Sequence, residues 1–372
     1  MRYVDEFRSA PLARTLAREA AALVEPGRPV RIMEVCGGHT HAICKHGLEE
    51  LLPPEVEFLH GPGCPVCVIP AGRVDDAIAL ALRPEVTLAT FGDMLRVPGR
   101  RRSLLDAKAQ GADVRMVYSP LDALELARRL PDREVVFLAI GFETTAPATA
   151  VTLLQAQADG VRNFSAFCNH VTIEPPLRAI LALPDVRIDA FIAPGHVSTV
   201  VGTRPYRFMA HEHGKPTVVA GFEPLDILQS TVMILRQVRD GRSEVENQYA
   251  RAVREEGNPR ALEAIARTMA PRDFEWRGLG TIPASGLRLR AELAAHDAEE
   301  RFEVPGATVA DPKACRCADV LTGRCKPWEC RVFGTACTPE RPLGTCMVSA
   351  EGACAAYYAY GRERRRRELA PA

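Results

Sequence analysis

Residues 30–41 run Val-Arg-Ile-Met-Glu-Val-Cys-Gly-Gly-His-Thr-His and join an apolar stretch to a glycine-rich turn. The apolar stretch is typical of a buried β-strand, and the two glycines let the backbone approach a ligand closely. A cysteine between a strand and a helix N-terminus is placed for a lowered pKa. Because the functional groups of α/β sheets gather in loops at the carboxyl ends of strands, this stretch predicts an α/β fold with a site at Cys36.

Apolar or β-branched runs of this kind recur along the chain, and segments with helical spacing separate most of them. The runs lie at 30–35, 56–59, 86–90, 114–118, 135–140, 164–168, 190–193 and 217–220. The helical segments include 73–82, 121–130, 146–157 and 225–238. Strands that alternate with helices predict parallel βαβ units, buried on both faces.

The chain of 372 residues is long enough for two or three domains. A break near Ser119-Pro120 predicts a first α/β domain at 1–119, which carries the N-terminal cysteines, and a second α/β domain at 120–240. Beyond it the strand signal fades, so 241–372 is predicted to be helical and then rich in cysteine, glycine and proline. A segment of that composition needs a staple such as a bound metal to fold.

Charge and hydropathy exclude some classes of protein. The formal net charge is zero, which gives no electrostatic reason to expect nucleic acid or an anionic membrane as partner. No apolar stretch approaches the roughly 20 residues of a membrane span, and residues 1–7 lack the pattern of a secretory signal. The arginine run at 362 and 364–367 is expected to be a solvated tail. We expect a cytoplasmic protein, whose 12 cysteines serve metal or redox roles rather than structural disulfides.

The cysteines fall into two groups. Between them Cys168 stands alone and is predicted to be a small buried hydrophobe. In the first group, the second apolar run ends in His-Gly-Pro-Gly-Cys64-Pro-Val-Cys67, and such a Cys-x-x-Cys pair binds metal or cycles between dithiol and disulfide. Cys36, Cys64 and Cys67 are therefore predicted to converge on one crevice as a thiolate site for a soft metal. Zinc would fit the same ligand types, so the spacing does not identify the ion.

Other polar side chains stand at predicted strand ends. They are candidates for ligands, proton donors or helix-start residues: His39, His41, Glu143, His170 and His196. For Glu143 a role as a carboxylate near a helix N-terminus is the alternative. The glycine-containing loop around it matches neither a P-loop nor a dinucleotide fingerprint, so nucleotide binding has little support.

The second group of cysteines predicts a second metal site. Its candidate ligands, separated by 12, 6, 8 and 7 residues, are Cys317, Cys330, Cys337, Cys346 and Cys354. This spacing is neither a ferredoxin run nor a paired zinc ribbon, yet four thiolates spread over loops can hold a [4Fe–4S] cluster. Cys315 and Cys325 are expected to be extras, and a structural zinc is the alternative.

Several stretches together resemble the HypD family of hydrogenase maturation factors, in order and over nearly the whole chain. They are MEVCGGHTH at 33–41, GPGCPVC at 61–67, GFETTAP at 141–147, PGHVS at 194–198, FGTACTP at 333–339 and CMVSAEGACAAYY at 346–358.

The resemblance implies a role in assembling the Fe(CN)2CO group of [NiFe]-hydrogenases with the small chaperone HypC. Cyanide would come from a thiocyanate-bearing HypE, itself loaded by HypF, and the hydrogenase large subunit would be served indirectly. By similarity, Cys36 would hold iron jointly with a cysteine of HypC, and Cys64 and Cys67 would act as iron ligands or as a redox dithiol. The C-terminal part would carry a [4Fe–4S] cluster that relays electrons to this dithiol, as in ferredoxin–thioredoxin reductase.

We also infer that His39, His41 and His196 supply protons or hydrogen bonds to bound cyanide. Whether such a protein is an enzyme or a scaffold that gives up its product once per cycle stays open, and a monomer that pairs with HypC is expected. Two other interpretations remain: an iron–sulfur-dependent thiol–disulfide reductase in which Cys36 is incidental, and a zinc-stabilised binding module.

Overall fold

The computed structural model describes residues 5–306 and 308–361, and the arginine run predicted as a solvated tail lies outside them. Within the described residues there are eleven strands: β1 Val30–Glu34, β2 Val56–His60, β3 Val86–Thr90, β4 Val114–Met116, β5 Glu134–Gly141, β6 Phe164–His170, β7 Ala190–Pro194, β8 Thr217–Ala220, β9 Val245–Asn247, β10 Met269–Trp276 and β11 Gly280–Leu289. The eight predicted strands are all confirmed as β1 to β8.

The α-helices of the same residues lie mostly between the strands. They are α1 Ala10–Leu23, α2 Gly37–His46, α3 Leu48–Leu51, α4 Pro65–Val68, α5 Ala71–Ala81, α6 Leu104–Ala109, α7 Pro120–Arg129, α8 Ala146–Ala158, α9 Glu174–Leu181, α10 Gly195–Val201, α11 Arg207–His211, α12 Pro224–Arg239, α13 Pro259–Thr268, α14 Ala298–Arg301, α15 Cys317–Leu321 and α16 Ala353–Tyr360. None of these helices is both long enough and apolar enough to cross a membrane.

Two parallel sheets form the centre of the fold, which confirms the α/β prediction. One has the strand order β2-β1-β7-β8-β9 and the other the order β4-β3-β5-β6. Strands β3, β6 and β7 are buried along their whole length, as expected for strands covered on both faces. The second sheet spans the break predicted at 119/120, because β3 pairs with β5 across it, and β7 then returns to β1 in the first sheet. The limits 1–119, 120–240 and 241–372 stay predictions as domain boundaries.

An antiparallel hairpin, β10–β11, follows the parallel part of the fold. The prediction that strands end near Arg239 was wrong, because β9 and the two strands of this hairpin lie beyond that residue. The alternation that would have revealed β10 is weak, since the strand contains Pro271 and charged side chains and its register shifts between Arg272 and Phe274. The hairpin lies against the end of β6, where the Thr172 N–H donates to the Ser285 carbonyl at 2.9 Å.

The C-terminal segment is largely irregular, as its composition predicts. Its last helix, α16, contacts α2, the helix that follows Cys36. The segment also approaches the helix of the Cys-x-x-Cys pair, where the Thr345 hydroxyl donates to the Cys67 carbonyl at 2.6 Å. The C-terminal cysteines therefore lie beside the loops that end β1 and β2.

Candidate functional site

The loops at the carboxyl ends of β1 and β2 meet at one cleft. Cys36 is the N-cap residue of α2 and Cys64 that of α4. The Gly37 N–H donates to the Gly63 carbonyl at 3.2 Å and ties the two loops together. Both cysteines line a cleft of about 800 Å³ together with His196.

Gly37 also allows the C-terminal segment to pack closely against this cleft. A side chain there would meet the Glu351 Cβ at 2.4 Å and the Glu351 carbonyl oxygen at 2.8 Å, so only glycine allows the approach. Glu351 itself lines the cleft. It was not among the predicted site residues, although it lies within the family-like stretch between Cys346 and Cys354.

The surroundings of Cys36 shift the pKa of its thiol in the direction opposite to the one predicted. Burial raises the pKa of its thiol well above the ordinary value, and the carboxylates of Glu351 and Glu34 raise it further. These effects outweigh the helix N-terminus, so the prediction of a lowered pKa was wrong. The Cys36 thiol therefore favours its protonated form in these surroundings.

A buried hydrogen-bond network holds the Cys36 loop. The Glu34 carboxylate accepts from the Cys36 N–H at 3.0 Å, from the Thr40 hydroxyl, and from His60 Nδ1 at 2.7 Å. His60 Nε2 lies 3.0 Å from the Tyr357 hydroxyl.

The Tyr357 hydroxyl in turn donates to the Glu49 carboxylate at 2.7 Å. The network connects helix α16 to the Cys36 loop, and sequence reasoning missed it because its members are far apart in the chain.

The two cysteines of the Cys-x-x-Cys pair face different sites. The Cys67 N–H donates to the Cys64 sulfur at 3.3 Å, and Cys64 lines the cleft. The Cys67 thiol instead shares a hydrogen bond with Cys346 of the C-terminal segment. Burial and the bond to Cys346 raise the pKa of Cys67, while bonds from Cys317 and Cys67 lower that of Cys346.

The C-terminal cysteines surround one cavity. It is lined by Cys315, Cys317, Cys330, Cys337 and Cys354. The Cys317 thiol also has hydrogen bonds with Cys346 and Cys354, which brings Cys346 to the same place. Cys325 lies apart, in a small apolar cluster with Val320 and Ala353.

Cys315, which was expected to be an extra, belongs to the set: its sulfur is 3.2 Å from that of Cys317. A Cβ on Gly344 would come within 2.4 and 2.5 Å of these two sulfurs. The thiols that line this small cavity, of about 10 Å³, are ligands of the type that bind a [4Fe–4S] cluster or zinc. Which four cysteines would bind stays a prediction.

None of the twelve cysteines, all of which lie in the described residues, forms a disulfide. In the described part of the chain, no group of three or more His, Cys, Asp or Glu side chains is arranged to hold a single metal ion. That Cys36, Cys64 and Cys67 bind one soft metal stays a prediction.

His196 lines the cleft as predicted, and a ring stack supports it. Its imidazole stacks on Phe222 with centroids 3.8 Å apart, and His39 stacks on Phe222 at 4.7 Å. His39 is fully buried and donates from Nε2 to the carbonyls of Ala220 and Gly221 at 3.2 and 3.0 Å. Burial lowers the pKa of both histidines. No sequence pattern indicated Phe222, because its role depends on contacts with residues far away in the chain.

The other candidates lie outside the lining of the cleft in the described residues. His41 packs edge-on against Tyr360. Burial lowers the pKa of His170 to about 4, and its Nε2 accepts from the Thr149 hydroxyl at 2.9 Å. Glu143 accepts from a backbone N–H at 3.0 Å, and burial raises its pKa to about 7.

The chain is similar to hydrogenase maturation factors over nearly its whole length. The family model HypD, described as "Hydrogenase formation hypA family", matches residues 11–361. The chain is 58% identical over 372 residues to hydrogenase maturation factor HypD of Rhizobium leguminosarum bv. viciae, covering 98% of this chain and 97% of the relative. It is 54% identical over 369 residues to the HypD of Escherichia coli K12, covering 98% and 99%.

Proposed function

The chain belongs to the HypD family of hydrogenase maturation factors, and from that premise we propose that it assembles the Fe(CN)2CO group of a [NiFe]-hydrogenase with HypC and HypE. One observation carries the proposal. The Cys-x-x-Cys pair stands between two sites, with Cys64 in the cleft beside Cys36 and Cys67 hydrogen-bonded to Cys346. A dithiol so placed can receive electrons on one side and use them on the other.

Cys36 holds the iron, which is the substrate of the assembly. Its thiol gives up its proton when the iron binds, because the cation offsets the burial and the nearby carboxylates. A soft thiolate suits iron with strong-field ligands and can exchange between partners without losing the metal. His196 and Glu351 line the same cleft and supply hydrogen bonds and protons to the cargo.

HypC completes the iron site by inserting a cysteine into the cleft. The mouth of the cleft is lined by Met116 and Tyr118, whose exposed fractions are 49% and 86%. Large exposed apolar side chains beside a functional cleft favour a protein partner. The complex thus provides the ligand that this chain lacks.

Cyanide is released from the thiocyanate of HypE by two electrons. Cleavage of the S–CN bond yields a thiol on the donor and cyanide for the iron, while Cys64 and Cys67 lose two electrons and two protons and form a disulfide. The C-terminal cavity, through four of its cysteines, would hold a [4Fe–4S] cluster, which supplies one-electron redox chemistry when bound. Thr345 holds the helix of the dithiol against this segment.

The proposal includes a cytoplasmic location, where thiols stay reduced, and the twelve free cysteines support it. The second candidate is an iron–sulfur-dependent thiol–disulfide reductase, favoured by the contact between Cys67 and Cys346. It leaves Cys36 without a role.

The two functions separate in a complementation experiment. The gene is expressed in a hydrogenase-producing bacterium that lacks its own relative, and hydrogenase activity is measured. Cys36→Ala and Cys64→Ala are expected to abolish maturation, whereas Cys168→Ala, a buried cysteine in the core beside β11, should preserve it. Normal maturation by Cys36→Ala would contradict the scaffold and favour the reductase.

A further inference from the structure

A second cleft, away from Cys36, is lined by arginines. Its volume is about 790 Å³, and its lining includes Arg96, Arg100, Arg101, Arg102 and Arg277. The same lining contains two carboxylates, those of Asp106 and Glu340. The cleft therefore carries an excess of positive charge in a protein of zero formal net charge.

Several of these guanidinium groups have unused donors. In the described residues, the side chains of Arg100 and Arg101 have no hydrogen-bond or ion-pair partner. Arg277 is buried, and its Nε donates to Asp311 at 2.5 Å, but its Nη1 is buried with no partner. Buried unpaired donors of a charged group are rare and costly, and an external anion would satisfy them.

The arginine cleft adjoins the cysteine cavity. Leu343, which lines the cleft, donates its N–H to the Cys337 sulfur at 3.3 Å. The Arg277 N–H donates to the carbonyl of Val68, the residue after Cys67, at 2.8 Å. One wall of the cleft is thus in direct contact with both redox-active parts of the protein.

The proposed chemistry needs a source of electrons for the dithiol. Each cyanide released leaves a Cys64–Cys67 disulfide, whose return to two thiols takes two electrons and two protons. Direct attack by a thiol is hindered, because Cys64 and Cys67 are only 3% and 1% exposed and Cys64 shares its cleft with the proposed cargo. A donor docked outside the protein can deliver electrons without reaching either sulfur.

Resting on the proposed function above, we propose that the arginine cleft is the docking surface for an acidic one-electron carrier protein. Two successive dockings deliver two electrons, each oxidising one carrier, and two protons from solvent complete the dithiol. Such electron-transfer complexes use small interfaces and are steered by opposite charge, which suits an open cleft where Arg96, Arg100 and Arg101 are exposed. The proposal assigns the cleft to a carrier protein rather than to a small anion.

The test measures binding directly. The probe is an oxidised plant-type [2Fe–2S] ferredoxin, and the same ferredoxin with amidated carboxylates is the uncharged reference. Arg100→Glu/Arg101→Glu is compared with Arg14→Glu/Arg18→Glu, an equal charge change on α1, which packs on α12. The dissociation constant is measured by calorimetry at low salt and at roughly 0.3 M NaCl, where surface charges are screened.

We expect the cleft variant to weaken binding at least about tenfold, the α1 variant to weaken it much less, and salt to remove most of the difference. Arg100→Gln/Arg101→Gln should also weaken ferredoxin binding. Because it removes the positive charges without adding carboxylates, it shows whether the loss in the Glu variant comes from misfolding. Absence of ferredoxin binding, or equal losses in the cleft and α1 variants, would overturn the proposal. Competition by inorganic phosphate without any ferredoxin binding would identify a small-anion site instead.

A rate measurement separates this inference from the proposed function. Disulfide reduction is followed by thiol labelling after mixing with reduced ferredoxin or with dithionite. The cleft variant should slow the ferredoxin reaction and spare the dithionite reaction. If ferredoxin binds as expected but no variant matures hydrogenase, the proposed function fails; if maturation depends on Cys36 and ferredoxin does not bind, the docking surface fails.

Discussion

The substitution Glu143→Gln tests whether burial raises the pKa of the Glu143 carboxyl and so makes the stability of the protein depend on pH. Burial raises the pKa of Glu143 from an ordinary 4.5 to about 7. The folded protein therefore keeps a proton that the unfolded chain releases, and folding becomes less favourable as pH rises from 4.5 to 7. The shift corresponds to about 3 kcal/mol in full, of which about 2–3 kcal/mol falls between pH 5 and pH 8.

The assay is urea unfolding of wild type and Glu143→Gln at both pH values. The amide cannot ionise and keeps an oxygen that accepts from the Ile173 N–H, so the variant should lose less stability on going from pH 5 to pH 8. The difference between the two proteins removes the contribution of the other titrating groups. Glu256→Gln, an exposed control, should behave as wild type. Equal pH dependence in wild type and Glu143→Gln would refute the reasoning.

Three further substitutions test the supports of the site. His60→Leu removes one of the three donors to the buried Glu34 carboxylate and should cost about 1–3 kcal/mol in urea unfolding; a loss near zero would contradict a stabilising role for this bond. Phe222→Leu removes the ring on which His196 stacks, so NMR titration should show the pKa of this histidine rising toward 6.5, and an unchanged titration would deny the stack a role. Thr345→Val should cost about 1–2 kcal/mol, and no loss would show that its bond to the Cys-x-x-Cys helix contributes little.

The parallel part of the fold could be predicted because burial on both faces leaves a strong sequence pattern. Strands β5 and β6 are continuous apolar runs that end in polar loop residues, and both were predicted nearly to their ends. The hairpin β10–β11 escaped prediction because one face is exposed and a register shift breaks its alternation. The return of β7 to β1 in the first sheet is a long-range pairing that local pattern does not encode.

The candidate site, like the fold, was predictable where local sequence pattern determines the position of a residue and not where distant segments meet. Cys36, Cys64 and Cys67 were predicted to converge because parallel strands bring their loops to one edge. The structure places Cys36 and Cys64 in one cleft, whereas Cys67 faces Cys346. Glu351 and Phe222 reach the site from distant segments and could not be found by spacing. The pKa of Cys36 was predicted in the wrong direction, since the helix N-terminus is visible in sequence but the burial and the carboxylates are not.

The most direct test of the central claim is the infrared spectrum of the anaerobically purified protein bound to HypC, in the stretching region of bound cyanide and carbon monoxide. We predict bands of both ligands in wild type and in Cys168→Ala, and their loss in Cys36→Ala with the complex still formed. Bands that persist in Cys36→Ala, or that are absent from wild type bound to HypC, would contradict the claim that the cleft at Cys36 holds the iron unit.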